Sequence, residues 1–579
     1  MVKKFLDENN IYRCIVIFLL IIPFLHISVR SLPYVYNDEF GYWVSAAHMV
    51  GMDWSEVFSI IPYYSYGYGF ILALIILIIR DMAVVYKVAV ALNGLWLALS
   101  FTFLYKAGTR VFSEAKRFTL LLSAAVAVMF SGNFVQVNYT WPETFLFFLF
   151  CFIFYLVVDI IKNPSEIKMG VLSIISVYCF CVHQRTLGIL VAICLLVVLL
   201  AVFKRISYKQ LICFIVPLIA CLVAVTIYKS NIIEEIWLNN SVVEGNNFSG
   251  QVGKITGIFS LEGIRNIILS ALGKLYYIFA STFFLVPFSI YMSVKKIIFA
   301  YRNDNEDCSV IFFGIFMLLV LIFTLGINSI AMPTPGNITH IVYGRYADNI
   351  FGPFIMIAIV ELLEHKTSIL ENFMAILVFL GLTGAVRHSL RLYGVHIQAA
   401  INNSGIAYMV ENDRIELAKG FIIVVGVWIL LQVLNRILND RKMALIAVSS
   451  TLIILFIVIG HKTYTKFELD WSVASESNMK NAALIKEMYS QCKEAEIYAV
   501  SGVGAEFPWL FTGNGIQFLL EDIKVHNIAY GDSLSIKWPD NAIVLAPCVL
   551  GEYEGLTTIE TDTVYKVMVS NYLIDNVIE

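Results

Sequence analysis

Charge is what this chain has least of: Asp, Glu, Lys and Arg together make up only 14% of its 579 residues. Soluble domains carry about 25% charged residues, so a water-facing surface around the whole chain is excluded. The formal net charge is -3, and no basic face or tail exists, which excludes recognition of nucleic-acid backbones. Ten cysteines are scattered, mostly within apolar runs, and none forms a CxxC pair with metal spacing; Cys179 and Cys181 make only a CxC. They read as small buried hydrophobes. No repeat and no low-complexity tract is visible. What abounds is apolar: 59% of the residues are hydrophobic and the mean hydropathy is +0.79, the composition of an integral membrane protein.

A membrane-crossing helix needs about 20 apolar residues, and cytoplasmic loops carry an excess of Lys and Arg. Thirteen spans are expected, near 12–30, 83–105, 118–137, 144–161, 170–184, 187–203, 210–228, 266–293, 309–331, 347–363, 370–387, 420–436 and 443–460. The first reads as a retained anchor, because it lacks a small-residue cleavage site. The segment 66–79, "YGYGFILALIILII", is ambiguous. If it does not cross, the basic loops at Lys3/Lys4, 106–117, Lys162/Lys168, 204–209, Lys295/Lys296/Arg302, Lys366 and Arg436/Arg441/Lys442 share one side. It is therefore expected to be re-entrant or interfacial, with the N-terminus inside and the C-terminus outside.

That topology places loop 31–82, "NYTWPET" (138–144), "VHQRTLG" (182–188), 229–265, 332–349, 387–419 and everything past 461 on the outer face. The tail is different material. A polar helical stretch at 477–491 precedes strand-like runs at 495–500, 524–530, 542–546 and 564–570, punctuated by Gly and Pro. The expected fold class is thus a polytopic α-helical membrane protein (body 1–460) with a small extracytoplasmic α/β domain (461–579).

Just after the first apolar run stands "YNDEFGYWVSAAHMV" (36–50), with Asp38 and Glu39 side by side. The plain account is helix capping: Asn37 as N-cap, two carboxylates at the positive end of the dipole, and Phe40, Trp43, Val44, Ala47 and Val50 as an interfacial apolar face. Capping needs one such residue. A second carboxylate at a bilayer surface has another use, as a general base toward a hydroxyl.

An acidic pair opening an amphipathic helix in the first outer loop resembles the signature of GT-C class glycosyltransferases. More narrowly, it is similar to the polyprenyl-phosphate-sugar-dependent family that includes protein mannosyltransferases and the aminoarabinose transferase of lipid A. Further stretches carry the resemblance: "IPYYSYGYGFILALI" (61–75), "WPETFLFFLFCF" (141–152), "HQRTLGILV" (183–191) and the Arg-Tyr motif of "YGRYADNIFGPFIMIA" (343–358). The proline-rich, lysine-bearing pattern of several members is absent after the acidic pair, so substrate preference does not transfer.

The resemblance implies an outward cavity that moves a sugar from a polyprenyl-phosphate donor to an envelope acceptor (glycan, lipid or protein) with inversion. It implies Asp38 as base, with Glu39 orienting the acceptor or binding a metal. Arg345 would hold the lipid phosphate, since a guanidinium offers a planar fork of donors; its plain alternative is a snorkelling anchor. Tyr346 would bond phosphate or sit in the aromatic belt. Glu143, His183 and Arg185 are further substrate-binding candidates; Glu143 alternatively starts a helix behind Pro142. No cofactor is required, and a divalent cation remains open because no single stretch supplies its ligands. The setting is a cell membrane; low Pro with abundant Ile, Asn and Lys points to a bacterium. A flippase-type transporter would place charges at mid-membrane, whereas here the charges cluster at outer loop ends, with Lys274 one charge inside an expected span. An O-antigen-type polymerase or ligase would rely on outer loops with paired arginines, whereas the longest internal outer loop carries the acidic pair.

Overall fold

The computed structural model describes residues 8–25, 36–237, 255–302, 309–333, 341–393, 400–412, 414–469, 472–503 and 512–576. Lys3, Lys4, the Asn37 side chain and residues 334–340 of the 332–349 loop lie outside the described residues. A bilayer has no water to satisfy backbone N–H and C=O groups, so long apolar runs must close their hydrogen bonds internally as helices. Every one of the thirteen expected segments falls on helix. Among the described residues, nine helices are long and apolar enough to cross a membrane, or ten if a bent pair counts as one. The expected count of thirteen is therefore not reached. Arg117–Val128, Glu166–Val182 and Phe351–Glu364 have 12, 17 and 14 residues, short of the roughly 20 a straight crossing needs.

Three helices frame the site. Helix α1, Tyr36–Met49, carries the acidic pair in its first turn. Helix α2, Met82–Val111, is capped by Asp81, whose carboxylate accepts from the backbone N–H groups of Ala83 and Val84. Helix α3, Glu143–Lys162, packs along α2. Between α1 and α2 the ambiguous segment forms a short apolar helix, Tyr66–Ile78. Leu72, Ile75 and Ile76 are buried, and Leu74, Leu77 and Ile78 face outward. At ~1.5 Å per residue it is too short for the ~30 Å hydrocarbon core.

The expected single span 266–293 is broken. It consists of α4, Leu261–Ser281, and α5, Leu285–Arg302, bent by 100°. Phe283 (φ 48°) and Phe284 (φ 68°) take the left-handed conformation at the break. That conformation costs about 1–2 kcal/mol per non-glycine residue. Burying both rings offsets it, at about 1.5–3 kcal/mol each. Lys274, on α4, is buried with its ammonium on the Ser270 hydroxyl at 2.5 Å.

Helix Arg441–Leu469 runs past the expected boundary at 460, so the sheet-bearing tail begins with α6, Ser472–Gln491. Five strands follow: β1 Glu496–Ser501, β2 Val525–Ala529, β3 Ala542–Pro547, β4 Leu556–Thr561 and β5 Tyr565–Ser570. Their order is β2-β1-β3-β5-β4; β1 runs parallel to β2 and β3, and the β3–β5–β4 pairs are antiparallel. Strand β4 was not expected, because "LTTIET" alternates a half-exposed pattern with little apolar content. Helix α7, Thr512–Leu520, fixes this layer to the membrane body. Its Phe518 ring sits 5.2 Å from Trp43, 6.2 Å from Phe40 and 6.0 Å from Trp54, all centroid to centroid. Trp54 Nε1 also donates to the Glu521 carbonyl at 2.9 Å. The sheet thus backs the helix that carries the acidic pair.

Candidate active site

Adjacent residues on a helix point about 100° apart, so Asp38 and Glu39 cannot serve one place. Glu39 turns inward and is wholly buried. Its Oε1 accepts from the Thr140 backbone N–H at 2.5 Å, the Thr140 hydroxyl at 2.6 Å and the Tyr86 hydroxyl at 3.0 Å. Trp43 Nε1 donates to the same threonine oxygen at 2.9 Å. These bonds staple the loop before α3 to α1 and α2. Enclosure and these hydrogen bonds hold the carboxylate against the loop before α3.

Asp38 turns the other way, with its side chain 36% exposed. Oδ1 accepts from the Tyr64 hydroxyl at 2.5 Å, and Oδ2 accepts from Arg345 Nη1 at 2.6 Å. Burial, then the neighbouring Asp38 charge, push the Tyr64 hydroxyl well above its ordinary value, so it stays a proton donor. Gly41 makes this approach possible: a Cβ there would lie 2.1 Å from the Tyr64 ring.

Arg345 opens a short turn, Arg345–Asp348, ahead of helix Phe351–Glu364. Its Nε donates to Glu143 Oε1 at 2.6 Å, and its guanidinium lies 3.7 Å from the centre of the Trp141 ring. Gly344 precedes it because the Tyr277 ring packs there, with the Cζ only 1.9 Å from where a Cβ would stand. Tyr277 in turn donates to Asp348 Oδ1 at 2.8 Å, which fixes the turn from behind.

Glu143, in the first turn of α3, also accepts from Arg185 Nη1 at 3.0 Å. Arg185 belongs to the tight turn Gln184–Thr186, and its backbone N–H donates to His183 Nδ1 at 3.2 Å. The guanidinium lies 4.5 Å from the centre of the Tyr346 ring, which is 5.5 Å from the His183 ring. Arg185 is buried, yet among the described residues its Nε and Nη2 find no hydrogen-bond partner. Two buried cationic donors left open are costly unless an anion meets them.

Six of the seven expected residues therefore converge, with Glu39 turned onto Thr140 and Tyr86, and Asp38, Arg345, Glu143 and Arg185 form one continuous ion-pair chain drawn from four separate loop ends. Two guanidiniums face two carboxylates, and Asp38 is the member that reaches solvent. Sequence reasoning missed Tyr64, Trp141 and Tyr277. Tyr64 stands among several tyrosines in "IPYYSYGYGF", and nothing in that run singles it out. Trp141 lies in the quoted "WPET" motif, where its adjacency to Glu143 was the available signal. Among the described residues no three His, Cys, Asp or Glu side chains gather in an arrangement that could hold a metal ion.

No family model and no curated protein sequence matches this chain. Solved structures do. The crystal structure of ArnT from Cupriavidus metallidurans in the apo state matches over 96% of this chain and 97% of its own, with TM-score 0.50 and 13% identity. The same protein bound to undecaprenyl phosphate gives the same coverage, TM-score and identity. The arabinosyltransferase EmbB from Mycobacterium smegmatis lies further off, at TM-score 0.38 and 12% identity over 78% of this chain and 41% of its own. What this chain shares with ArnT over that length is the polytopic helical GT-C fold.

Proposed function

We propose that this chain is a membrane glycosyltransferase that moves a sugar from a polyprenyl-phosphate donor to a hydroxyl of an envelope acceptor, inverting the anomeric centre. One observation carries the reading: a solvent-reaching carboxylate and a buried pair of guanidiniums, one with open donors, stand in a single chain of contacts. The fold shared with a protein solved with undecaprenyl phosphate supports the donor class.

In this scheme Asp38 is the base. Each of its oxygens has accepted one bond and keeps a lone pair for the acceptor hydroxyl. The acceptor oxygen bonds to C1 of the sugar as the C1–O bond to the lipid phosphate breaks, and the hydroxyl proton passes to Asp38. Attack opposite the leaving group gives inversion. Arg185, through Nε and Nη2, and Arg345 meet the charge that grows on the departing phosphate. Glu143 holds both guanidiniums in place, and Tyr346 and His183 wall the Arg185 side. Two arginines do the neutralising, so activity is expected to survive a chelator of divalent cations. The site and sheet face outward, the basic loops face the cytoplasm, and the boundary between membrane body and sheet domain falls after Leu469.

The test is purified full-length protein incubated with polyprenyl-phosphate sugars, with released polyprenyl phosphate and transferred sugar measured. Asp38→Asn keeps the size and loses the base; turnover is expected to fall about 10²–10⁴-fold. Transfer that persists in Asp38→Asn at the parent rate sinks this mechanism.

A further inference from the structure

A second polar cavity lies at the far end of the bundle, away from Asp38. Helix α3 starts at Glu143 in the arginine chain and ends at Lys162 in this cavity's wall. Its 20 residues place the two roughly 30 Å apart. The space is about 250 Å³, bounded by Phe112, Lys162, Lys296, Phe313, Ile357 and Glu361 among others. It sits at the end where the basic loops 106–117, Lys162/Lys168 and Lys295/Lys296 gather.

Its electrostatics are unbalanced. Lys296 is tied to the buried carboxylate of Glu361 and lies 5.3 Å from the centre of the Phe112 ring. Arg110 and Lys168 share Asp159, at 3.3 Å and 3.0 Å. Lys162 meets no carboxylate among the described residues; its ammonium donates to the Arg110 carbonyl at 2.5 Å, which leaves two of three N–H groups for a ligand. In the cavity's own lining Lys162 and Lys296 stand against Glu361, a surplus of one positive charge, with the Arg110, Lys168 and Asp159 group lying outside that lining. Val158 and Ile161, on the same helix as Lys162, and Phe313 give the cavity an apolar lining beside the lysine.

A surplus cation beside an apolar lining matches an amphiphile with an anionic head. We infer that this cavity binds a phosphate group between Lys162 and Lys296, with Val158, Ile161 and Phe313 receiving the first methylenes of an attached chain. The lipid form is favoured over free phosphate because only a lipid covers the apolar wall. The inference is independent of the glycosyltransferase reading, since it uses none of the same residues.

The experiment titrates the full chain, in neutral detergent, with phosphatidylglycerol, phosphatidylcholine or inorganic phosphate and counts bound molecules by native mass spectrometry. Phosphatidylglycerol should bind roughly tenfold more tightly than phosphatidylcholine, the worth of one charge-assisted hydrogen bond. Lys162→Gln should erase that preference without moving the unfolding midpoint. Lys296→Gln alone strands Glu361, so the second variant is the pair Lys296→Gln/Glu361→Gln, which removes both charges together; it should also lose the preference. Retention of phosphatidylglycerol against excess inorganic phosphate assigns the site to lipid, and displacement assigns it to the free anion. Equal binding of the two lipids, or a preference that persists in both variants, overturns the site.

Discussion

Two clusters of ion pairs hold this molecule at neighbouring places, and they are unlike in nearly every respect. The arginine chain is enclosed: the side chains of Arg345, Arg185 and Glu143 are each 3–4% exposed. The contact between the sheet and the membrane body lies on the surface, where Lys524 reaches Asp53 at 3.0 Å and Glu56 at 2.9 Å, and His526 reaches Glu56 at 2.7 Å. Coulomb attraction at equal distance is similar in form, but water screens the second cluster and not the first. The buried chain therefore cannot lose a member cheaply, whereas the exposed one can. The docking of the sheet rests instead on Phe518 and its aromatic neighbours.

Four substitutions sharpen that contrast. Glu143→Ala strands two buried guanidiniums and should lower unfolding stability in detergent by about 3–5 kcal/mol. A loss under about 1 kcal/mol, the range of exposed pairs, would mean that water already reaches the chain. Glu39→Ala removes the acceptor for the Thr140 N–H, with an expected loss of about 1–3 kcal/mol and a fall in turnover as the loop before α3 shifts. In Gly41→Ala the helix itself gains up to about 1 kcal/mol, but crowding against Tyr64 should reverse the sign, at about 1–3 kcal/mol net cost. Thermal unfolding of the variant decides between these two. Lys524→Ala, at the surface contact, should cost at most about 1 kcal/mol.

The same surface contact has a pH window. Hydrogen bonds to Glu56 and Asp53 raise Lys524 above its ordinary value, so its contribution is complete below the unfolded value and fades as pH rises through the raised one. Burial would raise Asp53, but the Ser55 and Lys524 hydrogen bonds outweigh it and hold it low. Its contribution is complete above the unfolded carboxylate value and is lost as pH falls through the lowered one. Protection from hydrogen exchange across residues 51–58, taken relative to the intrinsic amide rate at each pH, should therefore be greatest near neutrality and fall in acid.

Much of this was legible beforehand, and the failures have physical reasons. The resemblance to the GT-C family singles out Asp38, Glu143, Arg185 and Arg345, each at the edge of an apolar run, and the fold brings the four into one chain of contacts. That Asp38 and Glu39 meet different surroundings was hidden by their adjacency, because about 100° separates neighbours on a helix. The bend between α4 and α5 was invisible: two phenylalanines occupy positions where left-handed backbone would normally advertise itself through glycine. Tyr64 could not be chosen from its run of tyrosines, since only the missing Cβ of Gly41 decides which ring reaches Asp38.

The indole of Trp141 beneath Arg345 has a consequence of its own. Its ring attracts the guanidinium through its face, 3.7 Å from the Cζ, and uses up none of the N–H groups. Nε and Nη1 stay committed to Glu143 and Asp38, so one planar group bridges two carboxylates while leaning on an apolar support. A lysine in that seat would keep the charge and lose the bridge.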